Sequence, residues 1–199
     1  MRVRGVLRKG LTMKKLLKIL TMTMIVAAMC VAFAACGGSG SGDGDDYEYA
    51  AQAIENGTEF GSFTSTDLDG NEVTEAIFAD KDLTVLNIWG TYCGPCKSEM
   101  PELADWAKEL PDNVQIVGMV IDVPEGDADM IKTAKEICAD TGVDYLNITD
   151  NDSVEALLES VEAIPTTFIL DSEGKTVCTP IVGADVEAYK QAVQEYLDE

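Results

Sequence analysis

Two cysteines separated by two residues are the side chains of this sequence best suited to chemistry. They lie in Cys93-Gly94-Pro95-Cys96, and Trp89 precedes the first of them by four residues. Thiols at this spacing can close a disulfide with each other and open it again by exchange with a third thiol. The motif therefore predicts a redox couple that exchanges thiols for disulfides.

The couple falls where a predicted strand gives way to a predicted helix. Residues 83–89 are rich in β-branched and aromatic side chains, and residues 95–110 carry apolar side chains at helical spacing. At a helix start, unpaired N–H groups and the helix dipole stabilise a thiolate, which lowers a cysteine pKa from about 8.5 to about 7 or below. We therefore predict that Cys93 is the nucleophile. Cys96, one turn into the helix, is the predicted buried resolving thiol, and Pro95 suits the first turn.

The first 35 residues have the composition of a signal peptide. They hold every arginine of the chain, seven of its 14 basic residues and no acid. Lys14, Lys15 and Lys18 form a charged region ahead of an apolar core at 19–34. This pattern predicts export from the cytoplasm, with residues 1–35 removed.

The signal peptide is predicted to be of the lipoprotein type. Phe33-Ala34-Ala35-Cys36 resembles a bacterial lipobox, although Phe33 stands where leucine is usual, and Gly/Ser residues 37–42 follow it. We expect Cys36 to carry the lipid, residues 36–57 to form a flexible tether, and Met13 to be an alternative start. The other possibilities are an ordinary cleaved signal or a retained anchor, for which about 16 apolar residues are short of the roughly 20 that span a bilayer.

The charge of the remaining chain is strongly negative. After residue 35 it keeps 14 − 7 = 7 lysines against 36 acids, a formal charge of 7 − 36 = −29. A nucleic-acid partner is excluded on this ground, because binding requires cations that neutralise phosphates. The acids predict a well-solvated surface, or a preference for basic partners.

Residues 58–199 alternate between strand-like and helix-like patterns, which predicts one α/β domain. The first part, 58–66 and 72–77 around Asp69-Gly70-Asn71, is predicted to be a β-hairpin. The later elements are predicted as strands at 83–89, 114–121, 145–148, 166–170 and 175–182, and helices at 95–110, 127–141, 152–160 and 184–197.

Two blocks of the sequence carry a family resemblance. Residues 87–101, NIWGTYCGPCKSEMP, resemble the active-site stretch of TlpA/ResA-like thioredoxin-fold disulfide reductases, and Ile164-Pro165-Thr166-Thr167 resembles their cis-proline loop. The resemblance implies a thioredoxin-like fold in which helices flank a central mixed sheet. It also implies an N-terminal β-hairpin and a helix–strand insertion at about 127–148.

The resemblance also implies roles for single residues. Cys93 would attack, Cys96 would resolve, and Pro165 would place a cis peptide opposite the disulfide to hold an extended substrate segment. Glu99 would manage protons, since the chain has no histidine and Asn87 stands where cytoplasmic thioredoxins have a buried aspartate; a solvated helix residue is the alternative for Glu99. The residues expected to contact the substrate are Trp89, Tyr92, Gly94, Pro95, Ile164 and Thr166.

The predicted function is that of a monomeric protein-disulfide reductase, tethered by lipid to the outer face of a bacterial cytoplasmic membrane. Its substrates would be exported disulfide-containing proteins, and the resemblance implies an integral-membrane thiol carrier of the CcdA/DsbD type as electron donor. No cofactor and no metal are expected. The Gly94-Pro95 pair lacks the histidine that strong oxidants usually place there, which favours reduction over oxidation.

Two other functions stay open. A peroxidase of the peroxiredoxin type shares the fold, but its Pro-x-x-x-Thr-x-x-Cys signature is missing, since Thr91 is only two residues before Cys93. A copper-handling binding protein would separate its cysteines by three residues and add a histidine, although two thiolates can hold Cu(I).

Cys138 and Cys178 complete the cysteine set of the domain. On the implied fold, Cys138 lies in the inserted helix and Cys178 in the last strand at the opposite edge of the sheet. A disulfide needs Cα atoms within about 7 Å. We therefore predict two free thiols that pack as small hydrophobic groups.

Overall fold

The computed structural model describes residues 55–159 and 161–198. Several predicted N-terminal features lie outside the described residues: the signal peptide, the alternative start at Met13, the predicted lipidation site at Cys36 and residues 36–54 of the predicted tether. All described residues belong to one compact unit.

Seven strands, one 3₁₀ helix and four α-helices make up the described part of the chain. The strands are β1 (Thr64–Thr66), β2 (Glu72–Thr74), β3 (Leu83–Trp89), β4 (Val114–Pro124), β5 (Asn147–Asp150), β6 (Thr166–Asp171) and β7 (Ile181–Val182). The α-helices are α1 (Gly94–Ala107), α2 (Ala128–Thr141), α3 (Asp152–Leu157) and α4 (Val186–Leu197), and the 3₁₀ helix is Glu75–Asp80.

Five strands form the central mixed sheet in the order β5-β4-β3-β6-β7. β3 pairs in parallel with β4 and antiparallel with β6, and β4 pairs in parallel with β5. All seven residues of β3 are buried, as expected of a central strand that is covered on both faces. The predicted α/β class with a central mixed sheet is confirmed.

Both faces of the sheet are covered. One face packs against α1, α2 and α4 through two apolar clusters, of which one contains Trp89, Cys93 and Cys96. The other face packs against the N-terminal segment and α3. Edge-to-face contacts between Phe60, Phe78 and Phe168 fill this second layer. The helix that carries Cys96 therefore rests on a sheet whose central strand is fully buried.

The N-terminal hairpin is present but shorter than predicted. β1 and β2 pair only over Thr64–Thr66 and Glu72–Thr74. The Thr74 hydroxyl accepts a hydrogen bond from the Ala76 N–H, and the chain turns into the 3₁₀ helix there. A hydroxyl that caps a turn competes with strand pairing, so the predicted strand at 72–77 ends early.

The predicted strand at 175–182 is wrong for most of its length. Lys175 and Thr176 make single bridges, and regular pairing resumes only at β7. Pro180 has no N–H for a ladder, and Cys178 lies in the irregular stretch before it. Cys178 is therefore not in a strand, contrary to the prediction.

Helix ends follow local capping. The Asp127 carboxylate accepts from the Asp129 and Met130 N–H groups to start α2, and Gly142 ends it in the left-handed conformation. α1 continues through Pro101, whose side chain is exposed. In the described part of the chain, no helix combines the length and the apolar character needed to cross a bilayer.

Candidate active site

Cys93 and Cys96 are joined by a disulfide, with 5.3 Å between their Cα atoms. Cys93 is the N-cap of α1, and its Sγ accepts a hydrogen bond from the Cys96 N–H at 3.1 Å. Cys96 is fully buried, whereas 6% of Cys93 is exposed. An attacking sulfur from outside can therefore reach the pair only on the Cys93 side.

The second sequence block faces the disulfide. The Ile164–Pro165 peptide is cis, and the Ile164 carbonyl oxygen lies 3.7 Å from the Cys93 Sγ. Ile88 pairs with Thr166 in the antiparallel ladder of β3 and β6. That register brings the end of β3 and the start of β6 to the same edge of the sheet, which explains why two segments about 70 residues apart meet here.

Asp122, near the end of β4, holds the loop that precedes Cys93. Its carboxylate accepts hydrogen bonds from the Thr91 N–H at 2.9 and 3.1 Å and from the Thr91 hydroxyl. The Lys97 ammonium donates to the Thr91 carbonyl at 2.9 Å. Sequence reasoning missed Asp122 and Lys97; an acid at the carboxyl end of the strand next to β3 is the signal that could have indicated the first of them.

Gly90 lets the cis-proline loop approach the cysteine loop. A Cβ atom at this position would lie 3.0 Å from the Ile164 Cδ1 and 3.2 Å from the Tyr92 Cε1. Both contacts are tighter than ordinary van der Waals distance. The lack of a side chain at position 90 is thus part of the site geometry.

Glu99 is a buried residue and not a solvated one. Only 5% of it is exposed, and its Oε1 accepts from the Asn87 Nδ2 at 2.9 Å while its Oε2 lies 3.1 Å from the Tyr189 hydroxyl. The Asn87 Nδ2 also donates to the Thr167 hydroxyl at 3.0 Å. Burial raises the pKa of Glu99, partly offset by its hydrogen bonds to Asn87 and Tyr189. Glu99 lies three residues after Cys96, on the same side of α1.

Two of the residues predicted to contact the substrate are enclosed by protein. Only 1% of Trp89 is exposed, and its Nε1 donates to the Asn147 Oδ1 at 2.9 Å. The side chain of Thr166 is also buried, and its hydroxyl donates to the Ala163 carbonyl. The prediction is wrong for both side chains. Trp89 ends the fully buried strand β3, and Thr166 begins β6 beneath the cis-proline loop, so neither side chain has free surface.

The other predicted contact residues surround the disulfide at the surface. Tyr92 is 70% exposed, Gly94 and Pro95 are exposed, and Ile164 is half-buried. Pro165 itself is buried. Together they form a mostly uncharged rim around Cys93.

Cys138 and Cys178 are free thiols, as predicted. Cys138 is buried in α2, and burial raises its pKa to about 11. Burial, together with the nearby Glu195, also raises the pKa of the half-buried Cys178. Because the thiolate is the reactive form, neither thiol competes with the Cys93–Cys96 pair.

A family model described as the AhpC/TSA family matches residues 56–177. The thiol-disulfide oxidoreductase ResA of Bacillus thuringiensis subsp. konkukian is 30% identical over 148 residues, which cover 73% of this chain and 79% of that protein. ResA of Bacillus subtilis is 30% identical over 127 residues, covering 63% and 67%.

Solved structures agree with the fold. The thioredoxin domain of a thiol-disulfide oxidoreductase from Bacteroides vulgatus superposes with a TM-score of 0.58 at 24% identity, covering 70% of this chain and 97% of that one. StoA from Bacillus subtilis gives 0.52 at 20% identity, covering 67% and 96%. With the Cys93–Cys96 pair at the start of α1, the chain belongs to the AhpC/TSA family of thioredoxin-fold proteins and is a ResA-like thiol-disulfide oxidoreductase.

Proposed function

We propose that this chain reduces disulfides in exported proteins while tethered to the outer face of the cytoplasmic membrane. The observation that carries the proposal is the placement of the Cys93 sulfur at the start of α1, opposite the Ile164 carbonyl and in front of the fully buried Cys96. A sulfur placed this way is ionised by the helix start and is reached before its partner.

The reaction consists of two sulfur exchanges. The Cys93 thiolate attacks one sulfur of a substrate disulfide, a mixed disulfide forms, and the other substrate sulfur leaves as a thiolate. Cys96 then attacks the Cys93 sulfur, so that the intramolecular disulfide forms and the second substrate thiolate leaves. Two electrons pass to the substrate, and its two thiolates take up protons.

Glu99 serves the second exchange. Cys96 must lose its proton to attack, and Glu99 is the buried carboxylate one helical turn away on the same helix. Since burial raises the pKa of Glu99, this carboxylate is a better proton acceptor at neutral pH than an exposed acid.

The substrate segment is proposed to lie against the uncharged rim. Tyr92, Gly94, Pro95 and Ile164 offer apolar and backbone surface beside Cys93. The cis Ile164–Pro165 peptide ends the loop that faces the disulfide. In this proposal the rim binds the substrate segment. The residues that flank the disulfide of the substrate protein then decide which substrates are reduced.

The N-terminal sequence and the family support the proposed location and partners. The basic and apolar composition of residues 1–35 and the small residues before Cys36 support export and lipidation. A similar solved structure is a secreted disulfide oxidoreductase of Mycobacterium tuberculosis. A tether would keep the protein, as a monomer, beside an integral-membrane thiol carrier of the CcdA/DsbD type, which would return Cys93 and Cys96 to the thiol state.

The test replaces single cysteines by serine in the full chain. Cys93→Ser should abolish reduction of insulin disulfides, and Cys96→Ser should stop after one exchange with a trapped mixed disulfide at Cys93. Cys138→Ser, the matched control, should keep wild-type activity. Full activity of Cys93→Ser would contradict the mechanism.

The reduction potential decides the direction of exchange. A value near thioredoxin's roughly −270 mV would support a reductase, and one near about −120 mV would show an oxidant.

Peroxide reduction is the second candidate, because the matching family model carries the AhpC/TSA description. Thr91 and Cys93 do not have the spacing of the peroxidatic signature. Consumption of hydrogen peroxide by the reduced protein, at a rate well above that of dithiothreitol, would support this function in place of the reductase.

A further inference from the structure

The hydroxyl of Tyr189 lies between the buried carboxyl of Glu99 and the cis-proline segment. Tyr189 belongs to α4 and is fully buried. Its hydroxyl oxygen is 2.7 Å from the Gly183 carbonyl oxygen and 3.1 Å from the Glu99 Oε2. The Gly183 N–H in turn donates to the Pro165 carbonyl at 2.8 Å. A single hydroxyl thus connects Glu99 to the segment that faces Cys93.

The Tyr189 hydroxyl is shared between two acceptors. It has one hydrogen to donate, and both the Gly183 carbonyl oxygen at 2.7 Å and the Glu99 Oε2 at 3.1 Å lie within hydrogen-bond distance. When Glu99 is neutral, the hydroxyl donates to Gly183, the shorter contact, and can accept the hydrogen of the Glu99 carboxyl.

An ionised Glu99 reverses this arrangement. A carboxylate has no hydrogen to donate and attracts donors more strongly than a neutral carbonyl does. The Tyr189 hydroxyl then turns from Gly183 to Glu99, and the Gly183 carbonyl loses its donor.

We propose that Tyr189 is a positioning residue. It couples the protonation state of Glu99 to the Gly183 backbone, which is hydrogen-bonded to Pro165 of the cis-proline loop. Neutral Glu99 leaves the Tyr189 hydroxyl on Gly183, and ionised Glu99 withdraws it. The coupling to substrate rests on the proposed function, which places substrate against the loop that ends in Pro165, whereas the protonation of Glu99 does not depend on it.

The coupling fits the second sulfur exchange. When Cys96 attacks, its S–H bond breaks, the proton joins Glu99, a sulfur–sulfur bond forms to Cys93, and the substrate leaves as a thiolate. Glu99 becomes neutral in that step, and the Tyr189 hydroxyl returns to Gly183 as the product departs.

The charged and titratable groups around Glu99 favour its neutral form. Burial raises the pKa of Glu99, and the charge of Glu102 on the same helix adds to this effect. Glu102 is itself paired with Lys190 of α4 at 2.7 Å. The charge of Glu99 also acts on Tyr145, before β5, and the Asp185 N–H donates to the Tyr189 hydroxyl oxygen at 3.4 Å. Two neutral side chains of β3 and β6 complete the surroundings: Asn87 donates to Glu99 and to the Thr167 hydroxyl, and Thr167 is hydrogen-bonded to the Tyr189 hydroxyl.

The test measures the protonation of Glu99 directly by infrared spectroscopy of the oxidised full chain. The spectrum of the wild type minus that of Glu99→Gln isolates the band of the protonated carboxyl and gives its titration midpoint. For Tyr189→Phe, the reference spectrum is that of the double variant Tyr189→Phe/Glu99→Gln. The titration midpoint of Glu99 in Tyr189→Phe should rise by about one pH unit, because the carboxylate loses one of its two hydrogen-bond donors. Tyr196→Phe removes the same hydroxyl from an exposed position of the same helix and should leave the midpoint unchanged.

Two infrared results would overturn the proposal. One is a wild-type midpoint no higher than 4.5, the ordinary value for a glutamate, a result that needs only Glu99→Gln as its reference. The other is a wild-type midpoint in folded Tyr189→Phe. Neither requires turnover, so these failures are distinct from a failure of the proposed function, which the Cys93→Ser assay detects.

Kinetics test the link to the substrate segment. Tyr189→Phe should raise the KM for insulin about fivefold, the effect of one lost hydrogen bond. The variant should react with 5,5′-dithiobis(2-nitrobenzoate) at the wild-type rate, because this disulfide is too small to reach along the cis-proline loop. Equal KM values for insulin in Tyr189→Phe and Tyr196→Phe would disprove the coupling.

Discussion

At the scale of single residues, Asp150 shows how a partly buried acid on the edge strand affects stability. Asp150 ends β5, and its pKa is raised to about 6 because it is partly buried and faces Glu155. The unfolded chain releases this proton near pH 3.8, the ordinary value for an aspartate, whereas the folded protein keeps it until about pH 6. Folding stability falls as the pH rises through this window, and the full penalty is present above it.

Asp150→Asn should remove that penalty. We expect the free energy of unfolding at pH 7 to rise by about 1 kcal/mol, a figure reduced to allow for solvent screening of a partly exposed group. At pH 3.5 the variant and the wild type should be equally stable. Urea unfolding at both pH values measures the difference. Asp140→Asn, at an exposed position of α2, is the control, and an equal gain at the two pH values would refute the assigned cause.

Among the site residues, those of local motifs could be predicted, whereas those brought together by the fold could not. Cys93, Cys96 and Pro165 belong to short patterns with their own chemistry, and the structure brings them together. Asp122 and Tyr189 come from other elements, and only the strand register and the α4 packing bring them to the site. Trp89 was misplaced because aromatic residues occur both at binding rims and in buried strands.

At the scale of secondary structure elements, the join between β4 and β5 depends on a glycine. Gly118 pairs with Asn147, and a Cβ atom at position 118 would lie 2.7 Å from the Asn147 Cγ. Asn147 has little freedom to move, because its side chain accepts from the Trp89 Nε1 and donates to the Tyr145 carbonyl. The contact therefore connects the edge of the sheet to the indole that packs behind the disulfide.

Gly118→Ala should destabilise the protein by about 1–3 kcal/mol through overpacking. Urea unfolding gives the change, and the near-ultraviolet signal of Trp89 should change with it. Gly94→Ala is the matched control, because a Cβ there would meet nothing within 4 Å, and its stability should stay within about 0.5 kcal/mol of the wild type. Equal stability of Gly118→Ala and wild type would show that Asn147 adapts.

The same scale explains which elements the sequence could predict. Apolar periodicity predicts β3, β6, α2 and α4 to within about two residues, because their buried faces repeat regularly. It fails at 175–182, where single bridges at Lys175 and Thr176 and the two-residue β7 are separated by an irregular stretch that ends at Pro180. It fails also at 75–80, where the Thr74 cap decides the turn.

At the scale of the whole molecule, charge should decide which disulfides react fastest. The chain carries a formal charge of −22, and residues 36–199 hold all 36 acids. Cys93 opens onto an uncharged rim within this negative field, although Lys97 lies close by. A cationic disulfide is therefore drawn to the site and an anionic one is repelled.

We expect reduced protein to react with cystamine about tenfold faster than with 3,3′-dithiodipropionate in about 10 mM salt, where charges act over about 30 Å. The two rates should converge in 1 M salt, where this distance falls to about 3 Å. Stopped-flow measurement of tryptophan fluorescence follows the exchange, because Trp89 packs in the same cluster as Cys93 and Cys96. Dithiodiethanol, a neutral disulfide, is the control and should react independently of salt. Equal rates for the anionic and the cationic disulfide in low salt would contradict this prediction. The electrostatic field at Cys93 would then be set by Lys97 and the helix start and not by the net charge, and no preference for basic partners would follow.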